Sequence, residues 1–352
     1  MTSSNRLRLT RRNTLTCGVG LASAFAISNA RAAGGVVTVY SADGLKDGKP
    51  NWFDTVFAAF TKKTGIRVRY IEAGSGVVVN RVLAERANPQ ADVLVTLPPF
   101  MQQAAARGVL APVKPAGIEQ IPAVTRSAHD LWFPLVNNYA CWIYNTKELK
   151  APPANYETLL APAFRNRLQY STPGQAGDGT AVMLEVVHQM GGADAGFAYL
   201  KKLQANNLGP SSSTGRLAGL TDKGEILVAN GDVQMNFAQM RQYPDIGIFF
   251  PAGPHGRRVS MALPYDIALV RNAPHGDHGR RLIDFLLGRE AQDTVYELAR
   301  GFPVREDVPA SGPTAARLKQ IMDGVTIWSP DWRTVLASID ADISRWHHVT
   351  GT

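Results

Sequence analysis

Three strand-loop-helix units follow one another near the start of the chain, and they constrain the fold more than any other feature. Their strand segments are residues 36–40, 67–71 and 92–96. Each is followed by small or turn-forming residues and then by apolar residues at helical spacing. Strands that alternate with helices predict a parallel sheet covered on both faces. Ligands of such sheets bind beyond the carboxyl ends of the strands, where Ser41, Ser75 and Thr96 fall.

A change of character at residues 131–145 indicates a second lobe. This segment is aromatic and extended, and Pro134 interrupts it. Residues 261–270 are again strand-like and are expected to return to the first lobe. We therefore predict a two-lobe α/β clamp that closes about a hinge. The expected lobes are 33–132 plus 264–352 and, between them, 133–263, and the C-terminal helices could pack on either lobe.

The loop at residues 170–183 reads Y-S-T-P-G-Q-A-G-D-G-T-A-V-M and opens a predicted helix. The first N–H groups of a helix lack intrahelical partners and lie at the positive end of the dipole, so they accept an anion readily. Its glycines let backbone approach a ligand closely. A surface loop with an ordinary helix cap explains the same residues. In either case Asp178 is expected to complement the helix dipole.

The first 32 residues are typical of a cleavable signal peptide. They contain Arg11-Arg12, an apolar run to Ile27 and an A-R-A sequence that ends at Ala32. Adjacent arginines favour the twin-arginine route, and a general secretory signal explains the pattern as well. We expect cleavage near Ala32 and a periplasmic protein. The segment holds five arginines and no acid, which leaves +3 of the net charge of +8. That charge is weak evidence for nucleic acid as a partner.

Motifs for catalysis or metal binding are not found in the sequence. The seven histidines lack zinc-site spacing, and G-D-G-T lacks the lysine of a phosphate-binding NTPase loop. Cys141 is expected to be a buried thiol. We therefore expect no catalytic residue, no metal and no cofactor. A further strand is predicted at residues 231–237, with Asn236 at its tip.

Four segments together resemble bacterial extracellular solute-binding proteins, the ligand-capturing components of ATP-driven importers. They are V-V-T-V-Y-S-A-D-G (36–44), E-A-G-S-G-V-V-V-N-R (72–81), N-P-Q-A-D-V-L-V-T-L-P-P (88–99) and the W-F-P…Y-N segment. The resemblance implies the two-lobe, type II-like periplasmic binding fold. It is strongest, over residues 36–308, to members that capture 2-aminoethylphosphonate. A membrane permease is the implied partner, and a monomer is expected.

Other ligands stay open within and beyond this group. Its ferric-ion binders hold iron with paired tyrosines, whereas this chain has Asn236-Phe237 at the expected place, and loss of phenolate ligands argues against iron. Another small anion or a ferric complex is the alternative. An exported phosphonate or phosphate-ester hydrolase is the rival from a different class.

The implied ligand joins a phosphonate to an ammonium, so it requires N–H and O–H donors at one end and a carboxylate or an aromatic face at the other. The donors expected from the two lobes are Ser41, Ala42, Ser75, Gly76, Thr172, Gly177 and Thr180. Asp266 or Asp43, with Tyr265 beside it, is expected to bind the ammonium. Thr96 and Asn236 complete the predicted binding residues as strand-end side chains. Asp43 as a helix cap and Asp266 as a brace of the hinge are the structural alternatives.

Overall fold

The computed structural model describes residues 34–352, and the predicted signal peptide lies outside these described residues. The strands are β1 (Val36–Ser41), β2 (Arg67–Glu72), β3 (Val93–Thr96), β4 (Leu110–Ala111), β5 (Phe133–Val136), β6 (Ala140–Asn145), β7 (Leu168–Gln169), β8 (Val228–Asp232), β9 (Ile246–Phe249), β10 (Arg258–Met261), β11 (Tyr265–Val270) and β12 (Val325–Trp328).

The α-helices connect and cover these strands. They are α1 (Trp52–Thr64), α2 (Ser75–Ala84), α3 (Phe100–Ala106), α4 (Tyr156–Leu159), α5 (Gly177–Gln189), α6 (Ala193–Gln204), α7 (Leu217–Asp222), α8 (Val233–Gln239), α9 (Gly276–Leu287), α10 (Arg289–Gln292), α11 (Gly312–Ile321) and α12 (Trp332–Thr350). In the part of the chain that the structure describes, no helix combines the length and apolar character needed to cross a membrane.

Helix α1 illustrates how the sequence defines its own element. The side chain of Asn51 accepts the N–H of Asp54 at 2.8 Å and caps the first turn. Gly65 ends the helix in the left-handed region, with φ of 74°, and its N–H donates to Thr61 O. The buried face is Trp52, Phe53, Val56, Phe57 and Phe60. Apolar spacing and the terminal glycine predicted this helix, and the prediction is confirmed.

The first sheet has the order β2-β1-β3-β11-β4, with β5 also paired to β11. Strand β1 is parallel to β2 and β3, as predicted, whereas β11 is antiparallel to β3. An antiparallel strand presents its amino end where its neighbours present their carboxyl ends. Asp266 consequently pairs with Thr96. The residues after β1 and β3 and those that begin β11 thus share one edge.

A second sheet, of order β7-β8-β6-β9, is built from residues 140–249. The chain passes between the two sheets after β5 and returns before β11. Strand β7 is parallel to β8, so the carboxyl ends of both lie at one edge. The two sheets are the basis of the predicted lobes, whose boundaries stay a prediction.

The strand predicted at residues 231–237 is wrong beyond Asp232. Strand β8 ends there, and α8 begins at Val233. The side chain of Asp232 accepts the N–H of Met235 at 2.7 Å and caps the helix. Asn236 therefore lies inside a helix and not at a strand tip.

The C-terminal helices contact different parts of the fold. Helix α9 packs on β11 and β1 of the first sheet, whereas α12 packs on α6. The indole N–H of Trp346 in α12 donates to the hydroxyl of Tyr170, at 3.2 Å, next to the second sheet. Helix α9 therefore packs on the first sheet, whereas α12 packs mainly on α6 beside the second sheet and also contacts α3.

Candidate functional site

Asp43, in the loop after β1, contacts the loop that precedes α7. Its carboxylate accepts the hydroxyl of Ser213 at 2.5 Å and the N–H of Gly215 at 2.8 Å. Its backbone carbonyl accepts the hydroxyl of Tyr265, at 2.9 Å. The predicted residues Asp43 and Tyr265 are thus brought together. Asp43 thus connects this edge of the first sheet to the loop that contains Ser213 and Gly215.

The amino termini of α2 and α5 meet at the same place. The N–H of Gly76 donates to Gln175 O at 2.8 Å. A Cβ atom on Gly177 would lie 2.8 Å from Ser75 Oγ, so glycine is what permits this approach. The predicted residues Ser75, Gly76 and Gly177 therefore converge. Two helix amino termini in contact create a region of positive potential that favours an anion.

Two buried carboxylates lie beside these helix ends. Asp178, in the first turn of α5, is 3% exposed, and Asp232, at the end of β8, is fully buried. Burial raises the pKa of Asp178 well above its usual range, and the negative charges of Asp232 and Asp43 raise it further. Burial also raises the pKa of Asp232 to about 6, against the lowering effect of the Met235 N–H. Asp43, Asp178 and Asp232 therefore form one electrostatic group.

This acidic group has no basic partner within the described residues. Among residues 34–352, none of these three carboxylates forms an ion pair with Lys, Arg or His. Within the same residues, Asp178 Oδ1 and the hydroxyl of Ser75 lack a hydrogen-bond partner. A buried charge without a partner is costly, so the arrangement favours a cation beside Asp178. We name Asp43, Ser75, Asp178, Asp232 and Tyr265 the sheet-edge site.

Several predicted hydroxyl donors brace the surrounding loops. The side chain of Thr172 accepts the N–H of Ser211 at 3.0 Å, and that of Thr180 accepts the N–H of Gly174 at 2.9 Å. Ser41 donates its hydroxyl to the carbonyl of the next predicted residue, Ala42, at 2.8 Å. Thr96 Oγ1 lies 3.4 Å from Ser75 O. Their contact with a ligand stays a prediction.

Within the described residues, neither Asn236 nor Asp266 forms a hydrogen bond with Asp43, Asp178 or Asp232. Asn236 donates to Gln239 Oε1 at 3.0 Å, and Gln239 donates in turn to Gly215 O at 2.8 Å. Asp266 follows Tyr265 in β11, so its side chain lies on the opposite face of the strand. It accepts Gln102 Nε2 at 3.4 Å and lines a separate cavity. The roles of Asn236 and Asp266 in ligand binding stay predictions.

Sequence reasoning missed Asp232 and the loop donors Ser213 and Gly215, and it assigned Asp178 to the helix dipole alone. Aspartate is a common N-cap residue, and Asp232 lies three residues before Met235, whose N–H it accepts. The strand predicted at residues 231–237 left no place for a helix to begin there. The run S-S-S-T-G at 211–215 indicates a loop, although no local feature shows that it meets Asp43. In the described part of the chain, no group of three or more His, Cys, Asp or Glu residues could hold a metal ion.

Solved structures with the same fold define the class of protein. The periplasmic binding protein AfuA from Actinobacillus pleuropneumoniae, with fructose-6-phosphate bound, aligns with a TM-score of 0.76 and 19% identity over 90% of this chain and 99% of that one. The apo ferric ion-binding protein A of Pasteurella haemolytica aligns with a TM-score of 0.70 and 21% identity over 89% and 97%. The chain therefore has the predicted type II-like periplasmic binding protein fold.

Sequence comparison shows the family. The family model described as "Bacterial extracellular solute-binding protein" matches residues 46–293. The chain belongs to this family, as its motifs indicated. It is 54% identical over 333 residues to a protein of Salmonella paratyphi A named "Putative 2-aminoethylphosphonate-binding periplasmic protein", across 94% of this chain and 98% of that one.

Proposed function

We propose that this protein captures 2-aminoethylphosphonate in the periplasm and delivers it to the permease of an ATP-driven importer. The name and the 54% identity of the Salmonella relative support the ligand, and membership of the solute-binding family supports the role in transport. The protein acts as a monomer after residues 1–32 are removed. It binds its ligand without making or breaking a bond and does not bind nucleic acid.

One observation carries the choice of ligand: buried carboxylates without a cationic partner lie next to two helix amino termini. Asp178 is itself in the first turn of α5, so the two features are only a few ångströms apart along one helix. A simple anion would satisfy the N–H groups but would be repelled by Asp178 and Asp232. A molecule with an anion and an ammonium at opposite ends satisfies both.

The sheet-edge site assigns each end of this ligand to different residues. The phosphonate accepts N–H groups at the starts of α2 and α5 and the hydroxyl of Ser75, whose oxygen is otherwise unpartnered. The ammonium donates to Asp178 and Asp232. Tyr265 donates to Asp43 O, and its hydroxyl lies 3.3 Å from Asp232 Oδ2. Tyr265 thereby links the backbone at Asp43 to the carboxylate of Asp232.

Ligand binding is coupled to closure because the site includes residues from both sheets. Asp43 and Ser75 follow strands of the first sheet, whereas Asp178 follows β7 and Asp232 ends β8 of the second sheet. A ligand that contacts both groups stabilises the arrangement in which they meet. The permease then distinguishes the loaded form from the empty form by its shape.

Isothermal titration calorimetry with three ligands tests the proposal. We expect 2-aminoethylphosphonate to bind with a Kd at least about 100-fold lower than that of inorganic phosphate, since phosphate leaves the buried carboxylates unpaired, a difference of about 2.8 kcal/mol. Ferric citrate is expected to give no binding heat. Binding of ferric citrate alone would reject the ligand assignment, and turnover of the phosphonate would reject the binding function.

The pH dependence of binding follows from the raised pKa values. In the free protein Asp232 has a pKa of about 6 and that of Asp178 is also raised, so acidification neutralises the groups that the ammonium needs. We expect the affinity for 2-aminoethylphosphonate to fall about tenfold or more between about pH 7.5 and about pH 5. Binding near pH 6 should release protons into the buffer.

Methylphosphonate is the control for this pH series, since it shares the phosphonate and lacks the ammonium. Its affinity should fall less over the same range, and equal falls for both ligands would contradict the assignment of the carboxylates. The same raised pKa stabilises the free folded protein at low pH, and that contribution is lost as the pH rises through about 6. Thermal stabilisation by the ligand should accordingly grow with pH.

A further inference from the structure

A second cavity, of about 440 Å³, lies beside the segments that connect the two sheets. Gln102 of α3, Trp132 before β5, Asp266 of β11 and Trp332 at the start of α12 line it. We name it the tryptophan cavity. It lies on the face of β11 opposite to Tyr265, so it is distinct from the sheet-edge site.

The floor of the tryptophan cavity is polar and incompletely paired. Asp266 is fully buried, and its Oδ1 has no hydrogen-bond partner within residues 34–352. The same is true of Gln102 Oε1, while Gln102 Nε2 reaches the other Asp266 oxygen at 3.4 Å. Burial raises the pKa of Asp266 well above its usual range, and Gln102 opposes the shift. Two unpaired acceptors and one unpaired donor, Asn138 Nδ2, thus belong to described residues that line this cavity. The two acceptors favour a ligand with N–H donors.

The walls and the mouth of the cavity combine aromatic and apolar side chains with the polar residues Thr125, Asn137, Asn138 and Ser329. Trp132, Tyr139 and Trp332 are half-buried lining residues, and aromatic faces attract cations. Val124 and Ile327 form part of the lining and are 92% and 40% exposed. Exposed apolar side chains around a concave opening are typical of a ligand site.

The charges of the lining residues indicate the sign of the charge that a ligand should carry. The cavity contains no Lys, Arg or His among its described lining residues, and Asp266 is the one carboxylic acid there. No cationic side chain among these described lining residues is therefore available to pair with Asp266. An anionic ligand would meet the unpaired acceptor oxygens of Asp266 and Gln102, so it is disfavoured.

We propose that the tryptophan cavity is a second binding site, for a small amphipathic ammonium compound. The ammonium donates to Asp266 and Gln102 at the floor. The apolar part lies between Trp132 and Trp332 and extends toward Val124 and Ile327 at the mouth. The site takes an organic amine without an acidic group, unlike the sheet-edge site, which requires an anion as well.

Calorimetry with n-butylamine as the probe tests this second site. The wild-type protein should bind one equivalent, both alone and in the presence of saturating 2-aminoethylphosphonate. Asp266→Asn should weaken butylamine binding at least about tenfold, since a charge-assisted hydrogen bond is lost. Trp332→Ala should weaken it about threefold to tenfold while leaving the affinity for 2-aminoethylphosphonate within twofold of wild type. Asp277→Asn, at a carboxylate that is 96% exposed, is the matched control and should bind butylamine normally.

Separate outcomes distinguish this proposal from the proposed main function. The proposal would be overturned if 2-aminoethylphosphonate abolished butylamine binding, since the amine would then occupy the sheet-edge site. The same conclusion would follow if Asp178→Asn lost butylamine binding and Asp266→Asn kept it. Failure of the wild type to bind butylamine would overturn it as well. Circular dichroism of Asp266→Asn and Trp332→Ala should match wild type, and retained 2-aminoethylphosphonate binding by Trp332→Ala confirms that the variant folds.

Discussion

Asp178→Asn is expected to lower the affinity for 2-aminoethylphosphonate about 100-fold, which corresponds to about 2.8 kcal/mol. Asparagine has the size of aspartate but carries no charge, so the ammonium loses a charge-assisted hydrogen bond in a buried site. The free protein should fold normally, because asparagine keeps one acceptor oxygen for the hydroxyl of Thr214, and Asp178 Oδ1 has no hydrogen-bond partner in the described chain. The measurement is calorimetric titration of the variant and the wild type under the same conditions.

Methylphosphonate separates the role of the charge from a general loss of the site. Asp178→Asn should bind it as well as wild type or better, since the substitution removes a repulsive carboxylate. Asp277→Asn, whose carboxylate is almost fully exposed, should leave both affinities unchanged. A parallel loss of both ligands in Asp178→Asn would show that the ammonium is bound elsewhere.

Gly76→Ala is expected to lower the affinity for 2-aminoethylphosphonate and for methylphosphonate by a similar factor, about 100-fold. A Cβ atom at this position would lie 2.3 Å from Gly174 O and 2.9 Å from the ring of Phe100. Both contacts are too close, and the backbone carbonyl cannot yield without separating α2 from the loop before α5. Because closure requires that approach, the variant retains its fold and loses the enclosed site.

Gly276→Ala is the matched control, because it also adds a methyl group at the start of a helix. Its nearest neighbours would be Arg280 Nη1 at 3.4 Å and Ala273 Cβ at 4.0 Å, so its affinity should equal that of wild type. Small-angle scattering should show that the wild type contracts on binding and that Gly76→Ala does not. Near-normal affinity in Gly76→Ala would contradict the proposal that this contact belongs to the closed form.

Local sequence signals were sufficient for most of the first sheet. The aromatic spacing and terminal glycine of α1, and the β-branched residues of β1 and β3, reflect short-range physics that a sequence displays directly. The parallel pairing of β1 with β2 and β3 also followed from their alternation with helices. The antiparallel pairing of β11 with β3 could not be predicted, because pairing between residues separated by more than 150 positions leaves no local pattern in the sequence.

The candidate site was likewise predictable only in part. The glycines and hydroxyls at Ser75, Gly76 and Gly177 were predicted, since strand ends and helix starts are visible in the sequence. The contribution of Asp178 and Asp232 was not, because an acid near a helix start usually caps or complements the helix. Only the fold shows that both carboxylates are buried and share their surroundings with Asp43.

A crystal structure of the protein with 2-aminoethylphosphonate is the decisive experiment. We expect the phosphonate at the amino termini of α2 and α5, with the ammonium about 3 Å from a carboxylate oxygen of Asp178 or Asp232. A ligand bound in the reverse orientation, or outside the sheet-edge site, would contradict this expectation.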